Sequence, residues 1–194
     1  MKTKFILTVL CCILACTVSA QQKQKFTLSD MDQQSIQQAA VNMVNRFQSN
    51  CAAIASKKNT AAQKRSYINT ALQDFVEDAK IVITSFNGKK DKPKPVRKYL
   101  ERLSLLGDRY ANIQVTWSDC HITDEFEYDA NTGMYVGWAK VKQRFNAETK
   151  EHIRIGDVVE RTVKIYAKLT TIYEKNQTRK KWIINLGDIA ARNI

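Results

Sequence analysis

Asp119, Cys120 and His121 stand in a row, and they are the first residues to test for chemistry. A histidine beside a carboxylate can serve as a general base, because its ordinary pKa lies near neutrality. A thiol next to it would be the matching nucleophile. Strand geometry argues against that pair. Neighbouring residues on a strand point to opposite faces, so Cys120 and His121 share a pocket only if a bulge intervenes. His121 therefore stands alone as a candidate base. Asp188 is the other candidate, an isolated acid near the end of the last strand pattern with no second residue to pair with. Four aromatics, Phe47, Tyr99, Trp117 and Trp138, have the large faces that wall a small-molecule site. The plain alternative is that they fill a core. No catalytic motif rises above background, so the sequence does not name an activity.

Other chemistries fit poorly. Asp119, Asp124, Glu125, Glu127 and Asp129 form an acidic cluster. Alternation splits them between two faces, whereas a hard cation needs oxygens converging on one point. Cys51 and Cys120 are far apart with no histidine at ligand spacing, which is no zinc pattern. No glycine-rich phosphate loop is present among the six glycines of the chain, so no cofactor is expected. His152 falls in a polar loop.

The elements that would position these residues follow from periodicity. The longest signal is Val158 to Tyr173, where Val163, Ile165, Ala167 and Leu169 alternate with Thr162, Lys164, Tyr166, Lys168 and Thr170. Period-two alternation of this length predicts a strand with one apolar and one polar face. Before it, Ile36, Ala40, Met43, Val44, Phe47, Cys51 and Ile54 recur at helical steps behind a capping-box spacing at Asp30 and Gln33. A second box at Thr60 and Gln63 opens a stripe of Ile68, Ala71, Leu72, Phe75, Val76 and Ala79. The two helices are expected to pair. Lys80 to Phe86 reads as a short strand. A lysine-rich turn from Asn87 to Lys94 follows, then a helix from Pro95 that Gly107 should end.

From Tyr110 the pattern is strand. Ile113, Val115 and Trp117 share a face, and this strand is allowed to run as far as Tyr128. Asp129 to Gly133 is a turn. Met134, Val136 and Trp138 then share one face while Val141 and Phe145 take the other parity, which predicts a bulge near Ala139 or Lys140. The last strand is Lys180 to Ile189. This order gives an α+β fold with N-terminal helices packed in a curved antiparallel sheet. The expected organisation is a leader at 1–20, a disordered lead-in at 21–29 and a single domain at 30–190.

The chain of 194 residues carries a net charge of +12. Lys2 and Lys4 lie in the expected leader, so the remainder is slightly less basic. Such an excess favours anionic partners or simply keeps the protein soluble. Lys140, Lys142, Lys164 and Lys168 are placed to form a basic sheet face, with Arg179, Lys180 and Lys181 at the next turn. Nucleic acid is not expected, since export makes it improbable and Tyr166 and Tyr173, the aromatics that could stack, have opposite parity. A glycan or lipid phosphate is the more sensible anion.

Met1 to Ala20 has the form of a secretory signal: basic start, apolar run from Phe5 to Thr17, and small residues Val18-Ser19-Ala20 before Gln21. The apolar run is too short to span a bilayer comfortably. The protein is therefore expected to be periplasmic or secreted, and soluble rather than membrane-spanning. Ile13-Leu14-Ala15-Cys16 offers a lipoprotein alternative anchored at Cys16, although Leu14 fits that pattern poorly. Three cysteines leave with the leader. Cys51 and Cys120 remain, and they either form a disulfide or stay free. Asn176-Gln177-Thr178 is a glycosylation acceptor if the host uses one.

Helix, helix, strand, helix and then long antiparallel strands, closed by Trp182-Ile183-Ile184-Asn185-Leu186-Gly187-Asp188-Ile189, resembles the nuclear transport factor two-like superfamily. The resemblance covers about Asp30 to Ile189. It implies a cone in which a curved sheet wraps helices around a pocket, and homodimers through the outer sheet face. Small secreted bacterial members are the most similar. Ketosteroid isomerases, scytalone dehydratases and polyketide cyclases belong to the same superfamily, but no local motif here aligns with their catalytic residues. Fold does not transmit function. The expectation is thus a non-enzymatic binding module for a small molecule, glycan or protein partner, with a cofactor-free isomerase, dehydratase or cyclase as the alternative.

Overall fold

A computed structural model of the chain describes residues 27–83, 92–174 and 177–193. The expected leader, Cys16, most of the lysine turn at 87–94 and Asn176 lie outside them.

Helix α1 (Asp30–Ala55) buries Ile36, Ala40, Val44, Phe47, Cys51 and Ile54 on one stripe, as the spacing requires. Its cap is Ser29, not Asp30: the Ser29 hydroxyl accepts the Asp32 N–H at 3.2 Å. Asp30 and Asp32 instead occupy the first turn, where the helix dipole favours acids. The Asp32 carboxylate also accepts the Trp182 indole N–H at 2.9 Å, which ties the last strand to the first helix. Helix α2 (Ala61–Leu72) opens with the Thr60–Gln63 capping box. It stops earlier than its apolar stripe. Phe75, Val76 and Ala79 lie beyond it because the chain leaves the helix to meet the last strand. There the Leu186 N–H donates to Asp74 O at 2.7 Å and the Val76 N–H donates to Leu186 O at 2.8 Å.

Two-residue strands β1 (Lys80–Ile81) and β2 (Lys94–Pro95) follow, then α3 (Val96–Ser104) and the single-turn α4 (Leu106–Arg109). Gly107 is not a left-handed stop. It sits inside α4, and the only glycine with positive φ among the described residues is Gly133, at 66° in the Asp129 to Gly133 turn. The remaining strands are β3 (Tyr110–Ile122), β4 (Glu127–Asp129), β5 (Met134–Thr149), β6 (Arg154–Glu174) and β7 (Gln177–Asn193). β3 ends at Ile122 and does not reach Tyr128.

Among the described residues the strands form one sheet in the order β2-β1-β7-β6-β5-β3, with β4 on β5. Its long strands are antiparallel. The β1–β7 contact is parallel, so the sheet is mixed at that edge. The helices bury their apolar stripes with the inner face of this sheet in one cluster, and the fold is α+β.

β6 sets the two faces. Val159, Arg161, Val163, Ile165 and Ala167 point inward and are buried. Thr162, Lys164, Tyr166 and Lys168 point outward, as the alternation predicts. β5 differs from expectation. It runs against β6 without a register shift from Tyr135↔Ala167 to Glu148↔Arg154. Its inner residues are Gly137, Ala139, Val141 and Gln143, so Met134, Val136 and Trp138 lie on the outer face. The bulge expected near Ala139 or Lys140 is absent; the register shifts lie elsewhere, in β3 at Tyr110/Asn112 and at Ser118/His121, where Asp119 has φ 56°, and between β6 and β7 at Val163/Ile165.

Gly137 has no side chain on the inner side of β5 because Phe126 fills the space above it. A Cβ built on Gly137 would lie 2.7–2.8 Å from three atoms of the Phe126 ring. Gly137→Ala must displace that ring. The expected cost is about 1–2 kcal/mol of stability, measured by urea unfolding with an unchanged m-value.

Candidate functional site

The inner faces of β3, β5 and β6 extend past the helical core and leave a cavity of about 300 Å³ under α3 and α4. Pro95 caps α3, and the Val96 N–H donates to Ala79 O at 3.1 Å, which fixes where the helix starts. From that start Tyr99 and Leu103 project onto the sheet. Val115, Phe145 and Val159 form much of the opposite wall, and Ile83, Leu106 and Tyr110 also line the cavity. The Tyr110 ring meets Phe145 edge-on at 6.2 Å. The walls are thus mostly apolar.

The floor is not. Arg161 lies on the inner face of β6 and is only 4% exposed. Its Nε donates to Gln143 Oε1 at 2.7 Å, and its Nη1 donates to the Val82 carbonyl. Gln143 Nε2 in turn donates to the Tyr99 hydroxyl at 3.2 Å. The register explains the triad, since Gln143 stands opposite Val159, one inward position from Arg161. Arg161 makes no ion pair among the described residues. Burial pushes its pKa down, an effect that Tyr99, Asp157 and Cys51 oppose. A guanidinium keeps its proton even so. Burial pushes the Tyr99 hydroxyl up to about 12. It also pushes the Cys51 thiol well above its ordinary range, so Cys51 is inert packing and no nucleophile.

One carboxylate lines the cavity, Asp157. It shares the inward parity of Arg161 four residues earlier, about 13 Å back along the strand. It is half-buried, nearer the mouth, as is the exposed Arg102 of α3.

Of the four aromatics proposed from sequence, only Tyr99 lines this cavity. Phe47 is fully buried in the core and packs edge-on against Phe75 at 5.0 Å and Trp117 at 5.3 Å. Trp117 is buried with it, on the helix-covered part of β3. Trp138 is 38% exposed on the outer face, where the Lys164 ammonium lies 5.7 Å from its ring and 4.9 Å from that of Tyr166.

Neither candidate base reaches the cavity. Asp188 is exposed on β7 and its carboxylate accepts the Lys80 backbone N–H at 2.8 Å, pinning β1 to the sheet. His121 is exposed, with Nδ1 2.8 Å from Asp119 O inside the β3 bulge. That bulge absorbs Asp119 but leaves Cys120 turned to the core and His121 to solvent. Cys51 and Cys120 are both free thiols. The acidic cluster is dispersed: Asp119 pairs with Lys142 at 3.1 Å, and Asp129 accepts the Asn131 N–H at 2.9 Å in its turn. Among the described residues no three such side chains converge on a metal-sized site.

Sequence reasoning missed Gln143, Asp157 and Arg161. The signal was present. Arg161 has the parity of Val163 and Ile165, and Gln143 has that of Val141. A polar residue in register with an apolar face is either a mistake in the pattern or a placed group.

Three solved structures are similar to the chain in fold. An NTF2-like protein of unknown function from Exiguobacterium sp. 255-15 is 7% identical, with a TM-score of 0.42 over 78% of this chain and 98% of that one. A scytalone dehydratase-like protein from Novosphingobium aromaticivorans DSM 12444 is 11% identical, with a TM-score of 0.44 over 84% and 88%. The C. albicans Mtr2-Mex67 M domain complex contributes a chain 11% identical, with a TM-score of 0.41 over 80% and 94%. No protein-family model and no curated protein matches the chain. No described helix is long and apolar enough to cross a membrane.

Proposed function

We propose that the protein is an exported, non-enzymatic binding module that holds one small, mainly apolar molecule in the cavity beneath α3. The observation that carries this reading is the cavity itself: about 300 Å³ of apolar-walled space that ends on a buried polar floor. Small-molecule sites combine these features. The polar groups on the floor favour holding over turnover. Burial pushes the Tyr99 hydroxyl up to about 12, away from neutrality, and Arg161 and Gln143 do not exchange protons near neutral pH. The basic sheet face is the weaker site, because Lys142 is already paired with Asp119 and Lys164 already sits against two rings.

One feature favours a second reading. Asp157 puts a carboxylate on the cavity wall, and a carboxylate there could abstract a proton while Tyr99 and Arg161 stabilised the developing oxyanion. This would be the cofactor-free isomerase or dehydratase chemistry, with Asp157 in the place once considered for Asp188.

The intact mass of the purified protein, before and after denaturation, tests the first reading. An added mass that is lost on denaturation is expected. It should be missing from Val159→Phe, which puts a ring into the cavity at a cost of about 1–3 kcal/mol. A folded protein that never carries or takes up a small molecule would refute the reading. Asp157→Asn separates the two readings. A binder releases the same compound with or without the substitution, whereas an enzyme releases unreacted substrate only from the variant.

A further inference from the structure

The charge and the donors on the cavity floor say more than that something binds there. Arg161 is a buried cation that makes no direct ion pair among the described residues, although the Asp157 carboxylate acts on it from a distance. Of its three guanidinium nitrogens, Nε is used by Gln143 and Nη1 by the Val82 carbonyl. Nη2 has no hydrogen-bond partner among the described residues. The Tyr99 hydroxyl accepts from Gln143, which leaves its own proton without an acceptor. Two donors, one of them charged, therefore face the cavity without a protein acceptor among the described residues; Nη2 is not sealed in the core as Asn50 Nδ2 and Trp117 Nε1 are, and is open to whatever fills the cavity. A hydrogen bond from such a charged donor to an anion is stronger than one between neutral groups.

We propose that the ligand is a small monocarboxylate with an apolar body, its carboxylate held by Arg161 Nη2 and the Tyr99 hydroxyl. This rests on the reading of the cavity as a binding site. A carboxylate has two acceptor oxygens for two donors and a single negative charge for a single buried cation. All but one of the charged or titratable groups around the floor fit this choice. On α3, Tyr99 is neutral at pH 7 and Arg102 adds positive charge at the mouth. On α1, Cys51 is a neutral thiol. On β5, Gln143 is uncharged. Asp157 on β6 is the one opposing charge; it is half-buried, four residues before Arg161 on the same strand, and acts on it electrostatically. The body must therefore be apolar at mid-depth, and a hydroxyl or other donor is tolerated only at the Asp157 end. Size sets the scale, because a cavity of about 300 Å³ suits a small ligand body.

Calorimetric titration at pH 7 with 4-phenylbutyrate, 4-phenylbutanol and 4-phenylbutylamine tests the proposal. The carboxylate should bind at least about 10-fold more tightly than the alcohol, the range a charged hydrogen bond supplies. Arg161→Met should bring the carboxylate down to the affinity of the alcohol and leave the alcohol unchanged. Should that variant fail to fold, Tyr99→Phe should weaken the carboxylate several-fold more than the alcohol. Equal binding of alcohol and carboxylate overturns the carboxylate assignment while the cavity reading survives. Tightest binding by the amine overturns it too, and makes Asp157 the deciding charge. If none of the three binds, the assignment is also overturned. The intact-mass experiment then decides separately whether the cavity holds anything at all.

Discussion

Phe47→Ala is expected to lower the unfolding free energy by about 3–5 kcal/mol and to leave carboxylate binding within a few-fold of the parent. Phe47 is fully buried at the middle of α1, with edge-on contacts to Phe75 and Trp117. Those two rings come from different parts of the fold: Phe75 from the segment that pairs with β7, Trp117 from β3. Removing the Phe47 ring leaves a void that neither neighbour can close, because both are held by backbone pairing to the sheet. The loss is therefore the full transfer and cavity cost rather than a collapsed fraction of it. Edge-on aromatic contacts add about 0.5–1.5 kcal/mol per pair beyond area burial. Phe47 does not line the cavity, so binding should survive in the folded fraction. Urea unfolding followed by titration of the same sample measures both. A stability loss below about 1 kcal/mol, or binding abolished in folded protein, would show that Phe47 is a ligand contact after all.

This outcome bears on what a sequence can show. The α1 stripe, the Thr60–Gln63 box, the Asp129 to Gly133 turn and the two faces of β6 were all readable, because each rests on local periodicity or local hydrogen bonding. The errors arose where tertiary contacts overrode the local pattern. Phe75, Val76 and Ala79 continue a helical stripe in sequence, yet pairing of Asp74 and Val76 with Leu186 takes them out of the helix. Met134, Val136 and Trp138 form the more apolar half of their strand. They nonetheless face outward, because Gly137 and Ala139 are the buried side of the strand and Phe126 packs on Gly137 there. Trp138 was thereby mistaken for a pocket wall.

The candidate site was less legible than the fold for a related reason. Composition draws attention to histidine, cysteine and clustered acids, whereas the cavity is furnished by Arg161, Gln143 and Tyr99. Two of those lie on different strands, Tyr99 on a helix, and only the β5–β6 register brings them together. Parity alone placed Arg161 inward. What parity could not show is that Arg161 would find a glutamine and a carbonyl there instead of a carboxylate.

Gln143→Leu is expected to cost about 3 kcal/mol, and adding Arg161→Met to it should restore much of that loss. The single substitution removes the acceptor of the Arg161 Nε and leaves a buried guanidinium held only by the Val82 carbonyl. It also removes the donor to the Tyr99 hydroxyl. A charged group stripped of one partner carries the full penalty of its burial. Replacing both members with apolar side chains of similar length removes the penalty, because nothing charged remains to be desolvated. Arg161→Met alone should fall between the two, since it leaves Gln143 Oε1 and the Val82 carbonyl without a donor but buries no charge. The double-mutant cycle therefore predicts a favourable coupling of about 1–3 kcal/mol between the two substitutions. It also predicts a separation of stability from binding. The double variant should be nearly as stable as the parent and yet have lost the preference for 4-phenylbutyrate over 4-phenylbutanol. If the two substitutions are additive, Arg161 is already satisfied without Gln143, and the floor is not the strained donor site described above. If the double variant keeps the carboxylate preference, the anion is held elsewhere in the cavity, with Arg102 at its mouth the next cation to remove.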